Sequence, residues 1–121
     1  MTIAVLIDGK PPQDLSHALA LNDRGFHYGD GLFETALLDQ GTVRFLDAHL
    51  DRLYAGCERL AIQAPERERL RAEIASVTAN LRSAVLKIIL SRGVGARGYR
   101  PNGECTTTRV VAGGNRAAGP S

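Results

Sequence analysis

Lysine is nearly absent from this 121-residue chain: Lys10 and Lys87 stand against thirteen arginines. Any chemistry that needs an amine nucleophile therefore has two candidates here. Cysteine is equally scarce. Cys57 and Cys105 lie far apart, with no CxxC pair and no metal-ligand partners at useful spacing, which excludes a zinc site or a thioredoxin-like redox centre. The longest apolar runs, residues 3–7 and the lysine-bearing 85–90, fall far short of the roughly 20 residues that span a bilayer. The opening residues show no basic, apolar, small-residue leader pattern. No charge sign dominates either. Fifteen basic against 13 acidic residues, net +2, is too even to drive nucleic-acid binding. These absences predict a cytoplasmic protein with reduced thiols, no nucleic-acid partner and no membrane span.

What is present is globular. Hydrophobic residues make up 44% and charged residues 23%, close to the average for folded domains. The length suits one domain with a real core; a chain of roughly 150 residues buries about two-thirds of its unfolded surface, and this one falls slightly below that.

Ile3 to Ile7 is a β-branched run stopped by Asp8-Gly9-Lys10-Pro11-Pro12, which predicts a first strand entering a hairpin. Asn22 to Gly31 holds three glycines and two aspartates and predicts a loop of defined geometry. Leu32 to Asp39 reads as a strand that Gln40-Gly41 turns into another, Thr42 to Phe45. Asp47 can cap a helix in which Leu50, Leu53, Tyr54, Cys57, Leu60 and Ala61 share one face. Pro65 suits the first turn of a second helix, with Leu70, Ile74, Val77 and Leu81 as its buried stripe and residues 66–69 facing water. Val85 to Ser91 is the strongest strand signal, Gly93 to Gly103 a glycine-rich loop bearing arginines, and Cys105 to Ala112 the last strand. The fold class predicted is α+β: mainly antiparallel sheet, hairpins at both ends, two helices on one face. Residues 1–112 form the domain; 113–121, rich in Gly, Ala, Asn, Arg and Pro, read as a linker toward a further domain.

Several residues could carry chemistry. Glycines 25, 29 and 31 within NDRGFHYGDGLFET would let the backbone approach a ligand, or would simply make a tight loop with aromatic anchors. Arg52, near a helix start in HLDRL, could grip a phosphate bidentately, or be a surface arginine paired with an acid. His17, His27 and His49 lack metal spacing and a partnered nucleophile, and read as structural or surface residues. Lys87 lies on the same strand face as Val85 and Ile89. Either it stands on an edge strand with its stem snorkelling, or it projects into a cavity as a cation for an anionic ligand. Arg97 sits in a glycine-spaced run that suits an anion-binding loop or a long hairpin connection.

In order, DRGFHYGDGLFET, HLDRL and VLKIILSRGVGARGY closely resemble the amino-terminal domain of the fold type IV pyridoxal-phosphate enzymes. That family includes branched-chain and D-amino acid aminotransferases and aminodeoxychorismate lyases, and the SRG-x-G-x-RGY run is most like the lyases. The resemblance implies that Arg52 holds the cofactor phosphate. It implies that Lys87 and Arg97 bind substrate carboxylates, and that Phe33 and Thr35 line the active site. The implied lyase reaction splits aminodeoxychorismate into 4-aminobenzoate and pyruvate, in folate biosynthesis. The alternatives are part of an aminotransferase of the same fold, or a stand-alone binding domain without cofactor. In the family the Schiff-base lysine belongs to a carboxy-terminal domain and is expected beyond Ser121, so none of the residues present is expected to be catalytic. The resemblance also implies a homodimer and a chain inactive by itself.

Overall fold

The computed structural model describes residues 3–14, 23, 29–94 and 106–115. Five strands form one antiparallel sheet: β1 (Ile3–Ile7), β2 (Gly31–Asp39), β3 (Thr42–Val43), β4 (Ala84–Val94) and β5 (Thr106–Asn115), in the order β1-β5-β4-β2-β3. Two helices, α1 (Leu46–Leu60) and α2 (Arg67–Thr78), follow β3. The α+β class is therefore as the sequence predicts.

Period-two alternation decides which sheet face the helices cover. Ala36, Leu86, Ile88, Leu90 and Val111 point to one side, where they meet Leu50, Leu53 and Cys57 of α1 and Leu70, Ile74 and Val77 of α2. Full burial of each large aliphatic side chain contributes about 1.5–3 kcal/mol. The other face of the sheet carries no helix among the described residues, and Phe33, Leu37 and Ile89 are exposed there.

Four expectations need correction. β1 does not pair with its sequence neighbour; it lies along β5, with Val5 opposite Ala112. The turn after it closes only an isolated bridge between Ile7 and Lys10. β3 stops at Val43, because Phe45 adopts a left-handed conformation (φ 56°) and starts α1 itself, with no side-chain cap. Asp47 thus falls inside the first turn, where it pairs with Arg71 of α2. Pro65 precedes Glu66, the cap residue of α2, instead of opening the helix. β5 continues past Ala112 to Asn115, and Gly113 has a packing reason. A Cβ on Gly113 would lie 2.9 Å from Val77 Cγ1 and 3.1 Å from Leu81 Cδ1, so the glycine lets α2 sit close on the sheet.

Gly31 is the tighter case. A Cβ there would stand 2.5 Å from the carbonyl oxygen of Leu90 and 3.0 Å from Ser91 Cα, both backbone atoms that cannot rotate away. We expect Gly31→Ala to cost about 2–3 kcal/mol in urea denaturation, because β2 must move off β4. A cost under about 0.5 kcal/mol would mean the strand spacing yields freely.

Candidate functional site

β4 is the central strand of the sheet, so Lys87 is not at an edge, and the snorkelling-edge reading of this residue fails. The lysine stands on the helix-free face, flanked along its own strand by Val85 and Ile89 and paired in register with Thr35 of β2 and Ala112 of β5. Among the described residues no hydrogen bond or ion pair engages its ammonium group. A strongly hydrated cation rooted in the middle of an apolar β-surface gains nothing from packing that an aliphatic residue would not gain. It is suited to meeting an anion.

A cavity of about 520 Å³ opens beside it, lined by Lys87 and by Phe33, Ile89 and Val110, whose side chains supply apolar walls. Its polar end is built on Asp23, which is buried. Ser91 Oγ donates to Asp23 Oδ1 at 2.6 Å and Thr108 Oγ1 donates to Oδ2 at 2.5 Å, while the Gly93 N–H donates back to Ser91 Oγ at 3.0 Å. With their protons committed to Asp23, both hydroxyls can offer only lone pairs to the cavity. The structure thus brings Lys87 and Phe33 into one cavity. Thr35 shares their sheet face as the direct neighbour of Lys87 but does not line the cavity. Arg97 lies outside the described residues.

Arg52 belongs to a second cluster. On β2 the side chains alternate, so Glu34, between Phe33 and Thr35, turns to the helix face and is buried. Arg52 of α1 donates to it through Nε and Nη2, both at 2.8 Å, and His49, one helical turn earlier, contacts it through Nδ1 at 2.7 Å. The Arg52 hydrogen bond is the main cause holding the Glu34 carboxyl below its usual value; burial opposes it and His49 adds to it. The guanidinium in turn is raised, first by the same bond. Sequence reasoning left His49 as structural or surface, and its place beside Glu34 agrees with a structural role. The reading missed Glu34 and Asp23 as pillars of the site. Glu34 sits at core parity on β2, and a buried acid demands a cation, but both faces of that strand are partly apolar and the sequence does not mark which one turns inward. Cys57 is buried, and burial pushes its thiol up, away from nucleophilic use. No described helix is long and apolar enough to cross a membrane, and no group of metal-ligating side chains occurs among the described residues.

The half-covered antiparallel sheet offers a cavity beside Lys87, which has no partner among the described residues, and separately a helix-borne arginine, Arg52, held on Glu34. The chain belongs to the amino-transferase class IV family, whose model matches residues 31–115. It is 40% identical over 83 residues to the aminodeoxychorismate lyase of Vibrio harveyi, covering 69% of this chain and 31% of that protein. The crystal structure of 4-amino-4-deoxychorismate lyase from Pseudomonas aeruginosa superposes with a TM-score of 0.81 at 43% identity, over 96% of this chain and 41% of that one. A hypothetical aminotransferase from Mycobacterium tuberculosis in its pyridoxal-phosphate-bound form gives 0.79 at 26% identity, over 97% and 41%. The chain therefore spans about a third of the curated lyase and two-fifths of the solved structures.

Pyridoxal phosphate is the cofactor of this family, and the residues described fit part of what it needs. Its phosphate calls for fixed N–H donors, which Arg52 has to spare: three of its five remain after the two given to Glu34. Its ring calls for apolar walls, which the open sheet face provides. Its aldehyde calls for a lysine amine.

Proposed function

We propose that this chain is the amino-terminal part of a pyridoxal-phosphate-dependent 4-amino-4-deoxychorismate lyase, which forms 4-aminobenzoate and pyruvate. The observation that carries the reading is Lys87, a cation without a partner among the described residues at the centre of an apolar sheet face, beside a cavity walled by Phe33. A substrate with two carboxylates and a carbocyclic ring matches that combination of charge and apolar wall. The likeness to two lyases at 40% and 43% identity supports it.

On this reading Lys87 and Arg97 hold the substrate carboxylates, and Thr35 lines the approach beside Lys87. Phe33, Ile89 and Val110 exclude water from the ring. Arg52 holds the cofactor phosphate. Pyridoxal phosphate, when bound, supplies an electron sink for the carbon bearing the substrate nitrogen. The lysine that carries the cofactor is neither Lys10 nor Lys87; it belongs to a carboxy-terminal domain, and this chain by itself is inactive. A homodimer in the cytoplasm completes the proposal.

The second reading, an aminotransferase half, draws on the family match and on the mycobacterial relative. The two differ in what they consume. We expect the full-length protein to release pyruvate and 4-aminobenzoate from aminodeoxychorismate with no 2-oxo acid added. Turnover that depends on a 2-oxo acid as amino acceptor would establish the transaminase instead.

A further inference from the structure

Among the described residues, Arg52, Arg92 and Arg109 each pair with a largely buried carboxylate, whereas the acids that Arg67 and Arg71 meet are exposed, and Arg52 differs from the other two. Arg92–Asp30 is buried on both sides, with side-chain exposures of 7% and 13%, and Arg109–Glu73 likewise at 12% and 10%. These are internal ties between elements. In Arg52–Glu34 the glutamate side chain is 7% exposed but the arginine side chain 72%. An arginine recruited only to neutralise a buried acid would be enclosed with it, as the other two are. Here the acid is inside and its cation faces out.

The geometry reinforces this asymmetry. Both Glu34 oxygens accept from Arg52, one through Nε and one through Nη2 at 2.8 Å, so the plane of the guanidinium is set by the carboxylate. His49 approaches Oε1 at 2.7 Å from the preceding turn of α1 and fixes the carboxylate in turn. Glu34 cannot swing, because it sits in β2 between Phe33 and Thr35 with its backbone registered against Ile88. A free arginine side chain samples many rotamers, and a ligand must freeze them on binding. This one is frozen beforehand, with the Nη1 edge turned away from its carboxylate.

We propose that Glu34 is a positioning residue for Arg52: it holds the guanidinium in the orientation that receives the phosphate of the ligand, with His49 bracing the carboxylate. The inference rests on the reading of Arg52 as the phosphate-binding residue and deepens it. Pinning α1 to the sheet does not require the pair, since Leu50, Leu53 and Cys57 of that helix are already buried against the core.

The test compares pyridoxal phosphate with pyridoxal, which lacks the phosphate, as ligands of the full-length protein, in wild type, Arg52→Ala, Glu34→Gln and the double variant. Arg52→Ala should weaken pyridoxal phosphate about a hundredfold and leave pyridoxal nearly unchanged. Glu34→Gln should produce the same selective loss, about tenfold, and the double variant should be no worse than Arg52→Ala alone, because Glu34 acts through Arg52. Losses that multiply, or a Glu34→Gln variant with full selectivity for the phosphate, would overturn the positioning role while leaving the phosphate reading intact. An Arg52→Ala variant without selective loss would remove the phosphate reading itself, and the positioning role with it. Nitrogen-15 spectra of the wild type need no variant to fold. Arg52 should show slowed rotation about its Nε–Cζ bond, with distinct Nη signals, where the exposed Arg59 and Arg82 average. An averaged Arg52 would contradict the proposal.

Discussion

Replacing Arg92 by methionine should cost about 3–5 kcal/mol, much of the 5–15 kcal/mol that holds a domain of this size together. Among the described residues this guanidinium serves three acceptors at once. Its Nε donates to Asp30 at 2.7 Å, Nη2 to the Leu60 carbonyl at 2.8 Å and Nη1 to the Ala61 carbonyl at 3.0 Å. The two carbonyls are the orphan acceptors at the end of α1, where the chain leaves the helix through a left-handed Ala61. Arg92 thus ties the end of β4, the start of β2 and the carboxy-terminal end of α1 into one corner. Methionine fills similar volume but removes the Nε–H that Asp30 accepts and leaves two carbonyls without these donors. Urea denaturation should show a fall in midpoint with little change in slope. Arg92→Lys should recover less than half, since an ammonium cannot span three acceptors arranged for a planar fork. A methionine variant within about 1 kcal/mol of wild type would show that the corner is held by packing alone.

Lys87→Met should move function and stability in opposite directions. The lysine emerges from the central strand among Val85, Ile89, Phe33 and Val110, with no carboxylate engaging it among the described residues. An apolar side chain there adds to the surface its neighbours already make, so the urea midpoint should hold or rise. In the full-length protein kcat/KM for aminodeoxychorismate should fall about a hundredfold, the scale of one charge-assisted contact to a carboxylate. Residues kept for ligands at a cost to the fold behave in this way. A destabilised variant with unchanged kcat/KM would make Lys87 a structural residue.

The parts of this molecule that were legible in the sequence are those governed by local periodicity. Alternation put Lys87 on the face of Val85 and Ile89, and helical spacing gave Leu70, Ile74 and Val77 as the buried stripe of α2; Leu81, expected to complete that stripe, is buried but lies beyond the helix end at Thr78. Strand order is not local. Nothing near Ile3 announces a partner more than a hundred residues away, so β1 was expected in a hairpin and Lys87 could have stood at an edge. Motif order, DRGFHYGDGLFET then HLDRL then VLKIILSRGVGARGY, supplied what periodicity could not: the family and the interest of Arg52. It did not supply Glu34. Both faces of β2 are partly apolar, Leu32, Ala36 and Leu38 on one and Phe33 and Leu37 on the other, so no solvent side declares itself and the inward turn of the acid is invisible. The cap of α1 escaped for a different reason. Phe45 takes a left-handed backbone that no property of phenylalanine favours, and an aspartate two positions later was the more plausible start. Gly113 looked like linker because composition registers its flexibility and not the closeness of Val77.

The central claim is that Lys87 is a fixed cation for substrate and not the amine that bonds the cofactor. Incubating this chain with pyridoxal phosphate, reducing with borohydride and weighing the intact protein tests it directly, because a reduced bond to lysine is permanent and the chain offers only Lys10 and Lys87. The account predicts no stoichiometric adduct at Lys87, any label falling substoichiometrically on Lys10 or on the amino-terminal amine. A stoichiometric adduct mapped to Lys87 would contradict it and make this residue the cofactor lysine.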